Sequence, residues 1–229
     1  MTGAGISTES GIPDFRSPRT GLWNQYDPMQ ILSTTVLFHE PKTFYGVGFP
    51  ILVRFRDALP NAAHQVLAEW EQKGVVEAIV TQNIDSLHTR AGSKRILEIH
   101  GHLRSATCMK CKMVYSIEDI EKKIRANQIP PRCHCSGVIR PDVVLFGDML
   151  PACFEEAMDL ARRLPLLVIG SSLQVSPANF IPSSAKKMMI INLESTPFDN
   201  KASMVLTGKA GVILTAINEA MNKKADNIK

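Results

Sequence analysis

The chain has 229 residues, of which 45% are hydrophobic and 21% are charged, so it can bury the core of one large domain or of a large and a small domain. Its net charge of +4 comes from lysines and arginines scattered along the sequence, a pattern that does not favour strong nucleic-acid binding. No apolar run approaches the ~18 residues of a membrane-spanning helix, and the first residues lack the features of a signal peptide.

The first predicted element is a glycine-rich turn, Gly3-Ala4-Gly5. Paired glycines let a backbone approach a pyrophosphate closely, and the amides that open a helix can hold such an anion. Thr8 stands where the dinucleotide-binding pattern has Gly or Ala, so the turn alone leaves nucleotide binding and an ordinary loop equally open. Beyond it, Asp14-Phe15-Arg16 supplies an acid, an aromatic ring and a cation, which suit a charged, flat ligand.

A hydrophobic strand is expected before such a turn, but only Met1 and Thr2 precede it. In a doubly wound sheet this first strand lies at the centre, and without it neighbouring strands would have unpaired buried backbone groups. We therefore expect Met1 to be an internal residue of a longer protein, with several residues of the first strand missing from this sequence. Mass spectrometry of the native protein tests this expectation.

Short apolar runs alternate with helical patterns along the rest of the chain. Strands are predicted at residues 75–81, 166–170 and 188–193, and less strongly at 143–146, and helices at 61–73, 152–163 and 212–223. This alternation predicts an α/β fold with a doubly wound parallel sheet. Two segments break the rhythm, residues 17–59 and 104–136, and we expect them to form a smaller lobe. The large domain then comprises residues 1–16, 60–103 and 137–229.

Polar residues follow the first predicted strand, where open α/β sheets bind ligands. They are Gln82, Asn83, Ile84 and Asp85. Asn83 and Asp85 suit hydrogen bonds to a ribose or an amide, and the alternative is a turn with a helix N-cap. A largely apolar stretch, Ile96-Leu97-Glu98-Ile99, leads to His100, a candidate general base because histidine titrates near neutrality. His102 is its obvious competitor.

Four cysteines form two close pairs, Cys108 and Cys111, then Cys133 and Cys135. Two thiolate pairs on two turns can build a tetrahedral, closed zinc site, which holds a fold together rather than doing chemistry. The second pair has only one residue between its cysteines, so His134 could replace one thiolate. The other alternative is four free thiols on a surface loop. The cluster favours a metal site in a reducing, cytoplasmic compartment over disulfides.

Taken together, the motifs resemble the sirtuin family of NAD-dependent protein deacylases. The matching stretches, in the family's order, are GAGIS, GIPDFR, TQNID, LEIHG, the cysteine pairs, IRPDVVLFGD, GSSLQVSPA and IINLE. The resemblance implies a Rossmann-like large domain and a small domain with a helical module (residues 17–59) and a zinc module (residues 104–136). NAD and an acyl-lysine substrate would meet between the two domains.

The resemblance also implies residue roles. The NAD pocket would be lined by Gly3, Ala4, Gly5, Asp14, Phe15 and Arg16. Nicotinamide and its ribose would contact Gln82, Asn83, Ile84 and Asp85. The adenosine end would contact Gly170, Ser171, Ser172, Asn192 and Ala210. His100 would be the general base, Asn83 would position the attacking water or ribose, and Asp85 would favour the nicotinamide pose.

A substrate peptide would pair with a strand edge formed by Val143, Val144, Leu145, Phe146 and Gly147. Asp148 follows this edge where the family has Glu, and its side chain is one methylene shorter. Family members that favour succinyl or malonyl groups carry Tyr-x-x-Arg in the helical module. Here Tyr45 is followed by Gly48 at the Arg position, so we expect acetyl or other neutral acyl groups.

The resemblance implies an NAD-dependent protein lysine deacetylase that transfers the acyl group from lysine to ADP-ribose and releases nicotinamide. Its partners would be acetylated proteins, with no membrane and no strong nucleic-acid binding. One alternative is a protein mono-ADP-ribosyltransferase. Another is a non-catalytic module that binds NAD and zinc, if the first strand is truly absent.

Overall fold

The computed structural model describes residues 1–14 and 27–226, so Phe15 and Arg16 lie outside the described residues. A 3₁₀ helix, Ala4–Ser10, opens the chain. The helices that follow are α1 (Pro28–Ile31), α2 (Thr34–His39), α3 (Pro41–Thr43), α4 (Phe49–Val53), α5 (Ala62–Gln72), α6 (Leu87–Ala91), α7 (Ile117–Arg125), α8 (Cys153–Arg163), α9 (Phe180–Ser184) and α10 (Ala210–Asp226). The strands are β1 (Ile79–Thr81), β2 (Ile96–Glu98), β3 (Gly101–Cys108), β4 (Val114–Ser116), β5 (Ile139–Val143), β6 (Leu166–Ile169), β7 (Met188–Asn192) and β8 (Met204–Thr207). A π-helical turn, Phe44–Gly48, separates α3 from α4, and a 3₁₀ turn, Asp199–Lys201, precedes β8.

The parallel sheet has the order β2, β1, then Thr2, then β6, β7 and β8. Thr2 forms parallel bridges to Thr81 of β1 and to Ile169 of β6. Its amide donates to Val80 O at 2.8 Å, and its carbonyl accepts from Gln82 N at 3.0 Å. The residues before the glycine turn therefore occupy the central position that a doubly wound sheet gives to its first strand.

Helices cover both faces of this sheet. On one face α5 and α10 bury Trp70 and Leu214 against Ile79 and Ile169. On the other face α8 and α9 pack over Val80, Val168 and Ile190 in a second apolar core. The predicted α/β fold with a doubly wound parallel sheet is confirmed, because amphipathic helices on both faces bury strands that are apolar on both sides.

Two strand predictions were wrong in detail. The strand predicted at 75–81 begins only at Ile79, because the amides of Val75 and Val76 both donate to the Trp70 carbonyl and close the end of α5. Of the parallel strand predicted at 143–146, only Val143 belongs to a strand, as the last residue of β5, which pairs antiparallel with β3 in a separate sheet of order β4, β3, β5. Only this pairing partner, distant in sequence, decides the strand's direction.

A third apolar core joins the helices of residues 28–53 to this antiparallel sheet. Phe44, Tyr45 and Phe49 are at most 2% exposed and pack with Ile120 of α7 and Ile139 of β5. The Tyr45 hydroxyl donates to the Ile139 carbonyl at 2.6 Å. Tyr45 is therefore a core residue of this lobe. No helix in the described part of the chain is long and apolar enough to span a bilayer.

Two buried histidines give the fold a pH dependence. His64 and His88 are 0% and 1% exposed, and their ring centroids are 4.8 Å apart. Burial lowers the pKa of His64 to about 4 and lowers the pKa of His88 well below its usual value. Both rings are therefore neutral in the folded protein at pH 7 and below it, whereas they protonate near pH 6.5 in the unfolded chain.

We expect the contribution of these histidines to the free energy of unfolding to be fully present above pH 6.5. It should fall as the pH drops from there toward about 4, because only the unfolded chain gains protons in this window. His64 alone should account for a loss of about 2 kcal/mol at pH 5. Urea unfolding at about pH 7.5 and pH 5 measures it. His64→Gln can still complete the N-terminal cap of α5 but cannot titrate, so its loss should be smaller by about 2 kcal/mol. Equal losses in both proteins would contradict the prediction.

Candidate functional site

A cleft of about 540 Å³ lies at the carboxyl ends of the parallel strands, against residues 143–148. The structure brings together here nearly every described residue that the sequence assigned to ligand binding. These are Gly3, Ala4, Gly5, Asp14, Gln82, Asn83, Ile84, His100, Val143, Val144, Leu145, Phe146, Gly147, Gly170, Ser171, Ser172, Asn192 and Ala210. Asp85 is the exception, and it lines an adjoining cavity of about 400 Å³ that shares Ala4, Asn83 and Ile84 with the cleft.

The glycine turn contacts the end of β6 backbone to backbone. Gly5 N donates to Gly170 O at 2.8 Å, and Gly170 has a φ of +61°. A Cβ on Gly170 would lie 2.2 Å from Ile6 N, and one on Gly5 would lie 2.8 Å from Gly170 Cα. Glycine is required here because two chain segments meet without room for side chains. Gly3, Gly5 and Gly170 therefore form a floor of the cleft without side chains, where a ligand can approach the protein backbone closely.

Gly170→Ala is expected to lower the free energy of unfolding by about 2–5 kcal/mol, because it adds a steric clash to the cost of a left-handed backbone. Gly74→Ala is the matched control, since Gly74 has a φ of +71° but nothing within 4 Å of an added Cβ. That variant should lose only about 1–2 kcal/mol. Chemical unfolding of both measures the difference, and equal losses would show that the close approach to Ile6 costs nothing.

Asn83 and Asp85 belong to one hydrogen-bonded network. Asn83 is 8% exposed, and its Nδ2 donates to Gly3 O and to Ser7 Oγ, both at 3.1 Å. Ser7 Oγ donates to Asp85 Oδ2 at 2.7 Å, and Leu87 N donates to Asp85 Oδ1 at 2.9 Å. Burial raises the pKa of Asp85, and these two hydrogen bonds oppose the shift. Asp85 therefore bonds the backbone of the turn before α6, as the alternative interpretation expected, and it also lines the adjoining cavity.

His100 lies in the turn between β2 and β3 and lines the cleft. Its Nδ1 is 3.0 Å from the carbonyl oxygen of Gln82, which can only accept, so Nδ1 carries the proton. In the neutral ring the lone pair is then on Nε2, as a general base requires. His102 is not among the residues that line the cleft.

The strand edge at 143–147 is held from two sides. Val144 N donates to His100 O at 2.9 Å. On the other side Phe146 N donates to Leu32 O at 3.1 Å, and Thr34 N donates to Phe146 O at 2.9 Å. The edge that faces the cleft therefore has a fixed position relative to the catalytic candidate His100 and to the helices of residues 28–53.

At the end of β6, Gln82 Nε2 donates to Ser171 Oγ at 3.0 Å. Ala210 begins α10, and the next amide, Gly211 N, donates to Glu9 Oε2 at 2.7 Å. Thr8 and Asp148, both noted in the sequence, line the cleft, and sequence reasoning missed several other residues that line the two cavities: Ser7, Leu32, Leu52, Leu150, Gln174, Val175, Glu194 and Lys209. Ser7, Gln174 and Val175 stand inside quoted motifs and could have been found, whereas Leu32 and Leu52 had no local signal.

The four predicted metal ligands converge. The Sγ atoms of Cys108, Cys111, Cys133 and Cys135 all lie within 4.8 Å of one another. Cys108 and Cys135 are 3.6 Å apart, and Cys111 and Cys133 are 3.5 Å apart. Tetrahedral Zn–S bonds of about 2.3 Å imply S–S separations of roughly 3.8 Å, so the cluster fits a structural zinc ion. His134 Nδ1 lies 3.3 Å from Cys133 Sγ. The four cysteines complete a tetrahedral set without it.

A sequence profile of the Sir2 family matches residues 3–177. The chain belongs to the Sir2 family. The resemblance to sirtuins carried by the motifs is thereby confirmed. Among curated relatives, the NAD-dependent protein deacetylase 2 of Caldanaerobacter subterraneus subsp. tengcongensis is 52% identical over 219 residues, covering 95% of this chain and 88% of the relative. The NAD-dependent protein deacetylase of Saccharolobus solfataricus is 43% identical, covering 98% and 92%.

Solved Sir2 structures share the fold. A Sir2 protein in complex with a p53 peptide and NAD⁺ matches with a TM-score of 0.83 and 39% identity, covering 96% of this chain and 91% of that one. A second Sir2 structure, with a deacetylated p53 peptide and 3′-O-acetyl-ADP-ribose, matches with a TM-score of 0.87, 40% identity and the same coverage. The sequence similarity to the first relative covers 95% of this chain, and the structural similarity covers 96%.

Proposed function

We propose that this Sir2 protein is an NAD-dependent protein lysine deacetylase. One observation carries the proposal: His100, oriented by Gln82, lines the same cleft as the glycine floor and the strand edge at 143–147. The Sir2 relatives named as deacetylases, at 52% and 43% identity over most of this chain, support it. So do the Sir2 complexes with NAD⁺ and with a deacetylated peptide.

The proposal assigns each part of the cleft a substrate. NAD would lie over the floor formed by Gly3, Gly5 and Gly170, with its adenosine end near Ser171, Ser172, Asn192 and Ala210. Nicotinamide would occupy the adjoining cavity beside Asn83 and Asp85. The acetylated peptide would pair with Val143, Val144, Leu145, Phe146 and Gly147, which places the lysine close to His100. We propose that residues 1–16, 60–103 and 137–229 act as the NAD-binding unit and residues 17–59 and 104–136 as the small unit.

When bound, NAD would supply an electrophilic ribose carbon that takes the acetyl oxygen as nicotinamide leaves, and one water would be consumed to give lysine and O-acetyl-ADP-ribose. His100 Nε2 would take a proton from a ribose hydroxyl, so that this oxygen could attack the acyl carbon. The Gln82 carbonyl stabilises the imidazolium that forms, because Nδ1–H donates to it. Asn83, fixed by Gly3 and Ser7, orients the ribose or the attacking water. The cysteines, four of which converge in a cluster that fits a zinc ion, support a cytoplasmic location.

The deciding experiment incubates the protein with an acetylated peptide, with and without NAD. Release of nicotinamide together with the mass loss of one acetyl group, only when NAD is present, would establish the function. Transfer of label from NAD onto protein without loss of acetyl would favour the mono-ADP-ribosyltransferase instead. NAD binding without either reaction would favour the non-catalytic module.

Neutral acyl groups are expected to be the better substrates, with acetyl-peptide turnover at least about tenfold faster than succinyl-peptide turnover, because a buried carboxylate without a cation is costly. The Tyr45 hydroxyl already donates to the Ile139 carbonyl, and a Cβ on Gly48 would lie 2.2 Å from Ile31 O. An arginine at position 48 has no room, so no cation comes from this turn. Initial rates on the two peptides test this, and faster desuccinylation would overturn it.

A further inference from the structure

Asp148, the residue that departs from the family's Glu, forms a two-pronged ion pair with Arg140 of β5. Arg140 Nη2 donates to Asp148 Oδ2 at 2.5 Å, and Nη1 donates to Oδ1 at 3.2 Å. The two side chains are only 19% and 22% exposed. Burial by itself would raise the pKa of Asp148, but the Arg140 and Leu145 hydrogen bonds outweigh it and lower the pKa. The carboxylate is therefore charged and held in place at neutral pH.

The pair closes the turn that ends the strand edge. Leu145 N donates to Asp148 Oδ2 at 2.8 Å, and Asp148 N donates to Leu145 O at 3.0 Å. Arg140 Nη2 also donates to Val143 O at 2.9 Å. The Arg140 guanidinium thus holds the backbone of Val143, and the Asp148 carboxylate holds the backbone of Leu145. Charge-assisted, bidentate contacts of this kind fix geometry as well as adding energy.

The backbone of residues 146 and 147, in the same turn, is also constrained. Gly147 has a φ of +94°, and a Cβ there would lie 2.6 Å from Thr34 Oγ1. The neighbouring Phe146 is bonded through its amide and its carbonyl to residues 32 and 34. An edge that is ordered before a peptide arrives binds it more tightly, because the ordering cost is not taken from the binding energy. Without the ion pair, this stretch would lose the side-chain bonds to Val143 O and Leu145 N, while its backbone bonds to residues 32, 34 and 100 would remain.

We propose that Arg140 and Asp148 are positioning residues that preorganise the peptide-binding edge and so set the affinity for the acyl-lysine peptide, not for NAD. This inference rests on the proposed function, since it takes the edge at 143–147 to be where the peptide pairs. Neither side chain acts on the reacting atoms. Their effect reaches the substrate through the backbone of Val143 and Leu145.

The test compares Asp148→Asn, Arg140→Gln, the double variant and Asp148→Glu with the wild type. Asp148→Asn and Arg140→Gln should each raise the KM for an acetyl-lysine peptide about tenfold, and its Kd by fluorescence anisotropy without NAD by a similar factor. The KM for NAD, the zinc content and kcat should stay within about twofold. The loss in the double variant should be smaller than the sum of the two single losses, because both single variants break the same Arg140–Asp148 pair. Asp148→Glu keeps the charge and should retain most of the peptide affinity.

Asp159→Asn is the matched control, because it breaks an exposed ion pair with Arg163 on α8, away from the cleft. It should leave both KM values unchanged. A wild-type peptide Kd in Asp148→Asn would overturn the inference, and so would equal losses of peptide and NAD affinity with a lowered melting temperature. Failure of the proposed function looks different: the wild type itself would neither bind nor deacetylate the peptide.

Discussion

His100→Ala is expected to lower the rate of NAD-dependent deacetylation by at least about 100-fold while NAD still binds with nearly unchanged affinity. A positioned general base contributes roughly 10²–10⁴-fold to a rate, and the variant removes the imidazole without touching the glycine floor. The Gln82 carbonyl loses its Nδ1–H partner, but Gln82 keeps its side-chain bond to Ser171. Nicotinamide release on an acetylated peptide and NAD binding by calorimetry measure the two quantities separately.

His102→Ala is the control for this experiment. The two histidines are two residues apart, but only His100 lines the cleft among the residues that the structure describes. We expect His102→Ala to keep turnover within about threefold of the wild type, because its ring has no place in the proposed proton transfer. The assignment would fail if His100→Ala turned over normally, or if His102→Ala showed the large loss instead. A loss of NAD binding in His100→Ala would show that the ring supports the fold or the dinucleotide.

Cys108→Ser is expected to release the metal and to unfold the lobe that carries the cysteines. Cys108 and Cys133 are 0% and 5% exposed and belong to the same apolar core as Phe44, Ile117 and Ile139. Structural zinc contributes about 10–16 kcal/mol in small zinc domains, which is comparable to the whole stability of a typical domain. Because the strand edge at 143–147 leads out of this core, deacetylation should be lost as well.

Zinc content by mass spectrometry, thermal melting and activity measure the outcome of Cys108→Ser, and treatment of the wild type with a strong chelator should reproduce it. Cys153→Ser is the control, since Cys153 lies on α8 and outside the cluster. It should keep one zinc ion per chain. His134→Ala should keep it too, because four thiolates already complete the sphere; loss of zinc there would show that His134 is a ligand. A Cys108→Ser protein with full zinc and normal melting would refute the structural role of the site.

The family and the chemistry could be read from local sequence, because the groups that react or coordinate must stand in short, fixed spacings. The glycine pair, the polar residues after the first strand, the histidine after residues 96–99 and the paired cysteines all carry such constraints. The alternation of apolar runs and helical patterns predicted the doubly wound sheet for a similar reason, since burial on both faces leaves a periodic trace. The helices at 61–73 and 152–163 were therefore placed within one or two residues.

Only the tertiary structure decided the contacts between residues far apart in the chain, because local sequence patterns carry no signal for them. Sequence placed Val143 in the parallel sheet, but pairing with Gly101 puts it at the end of an antiparallel sheet. Sequence identified Tyr45 only as the Tyr of an incomplete Tyr-x-x-Arg, whereas the fold buries it and pairs its hydroxyl with the Ile139 carbonyl in the core. Likewise, the proton on Nδ1 of His100 depends on the Gln82 carbonyl, 18 residues earlier in the chain. The sequence by itself determined which chemical groups the protein has; only the folded chain decided which atoms face them, because hydrogen-bond direction and burial depend on partners brought together by packing.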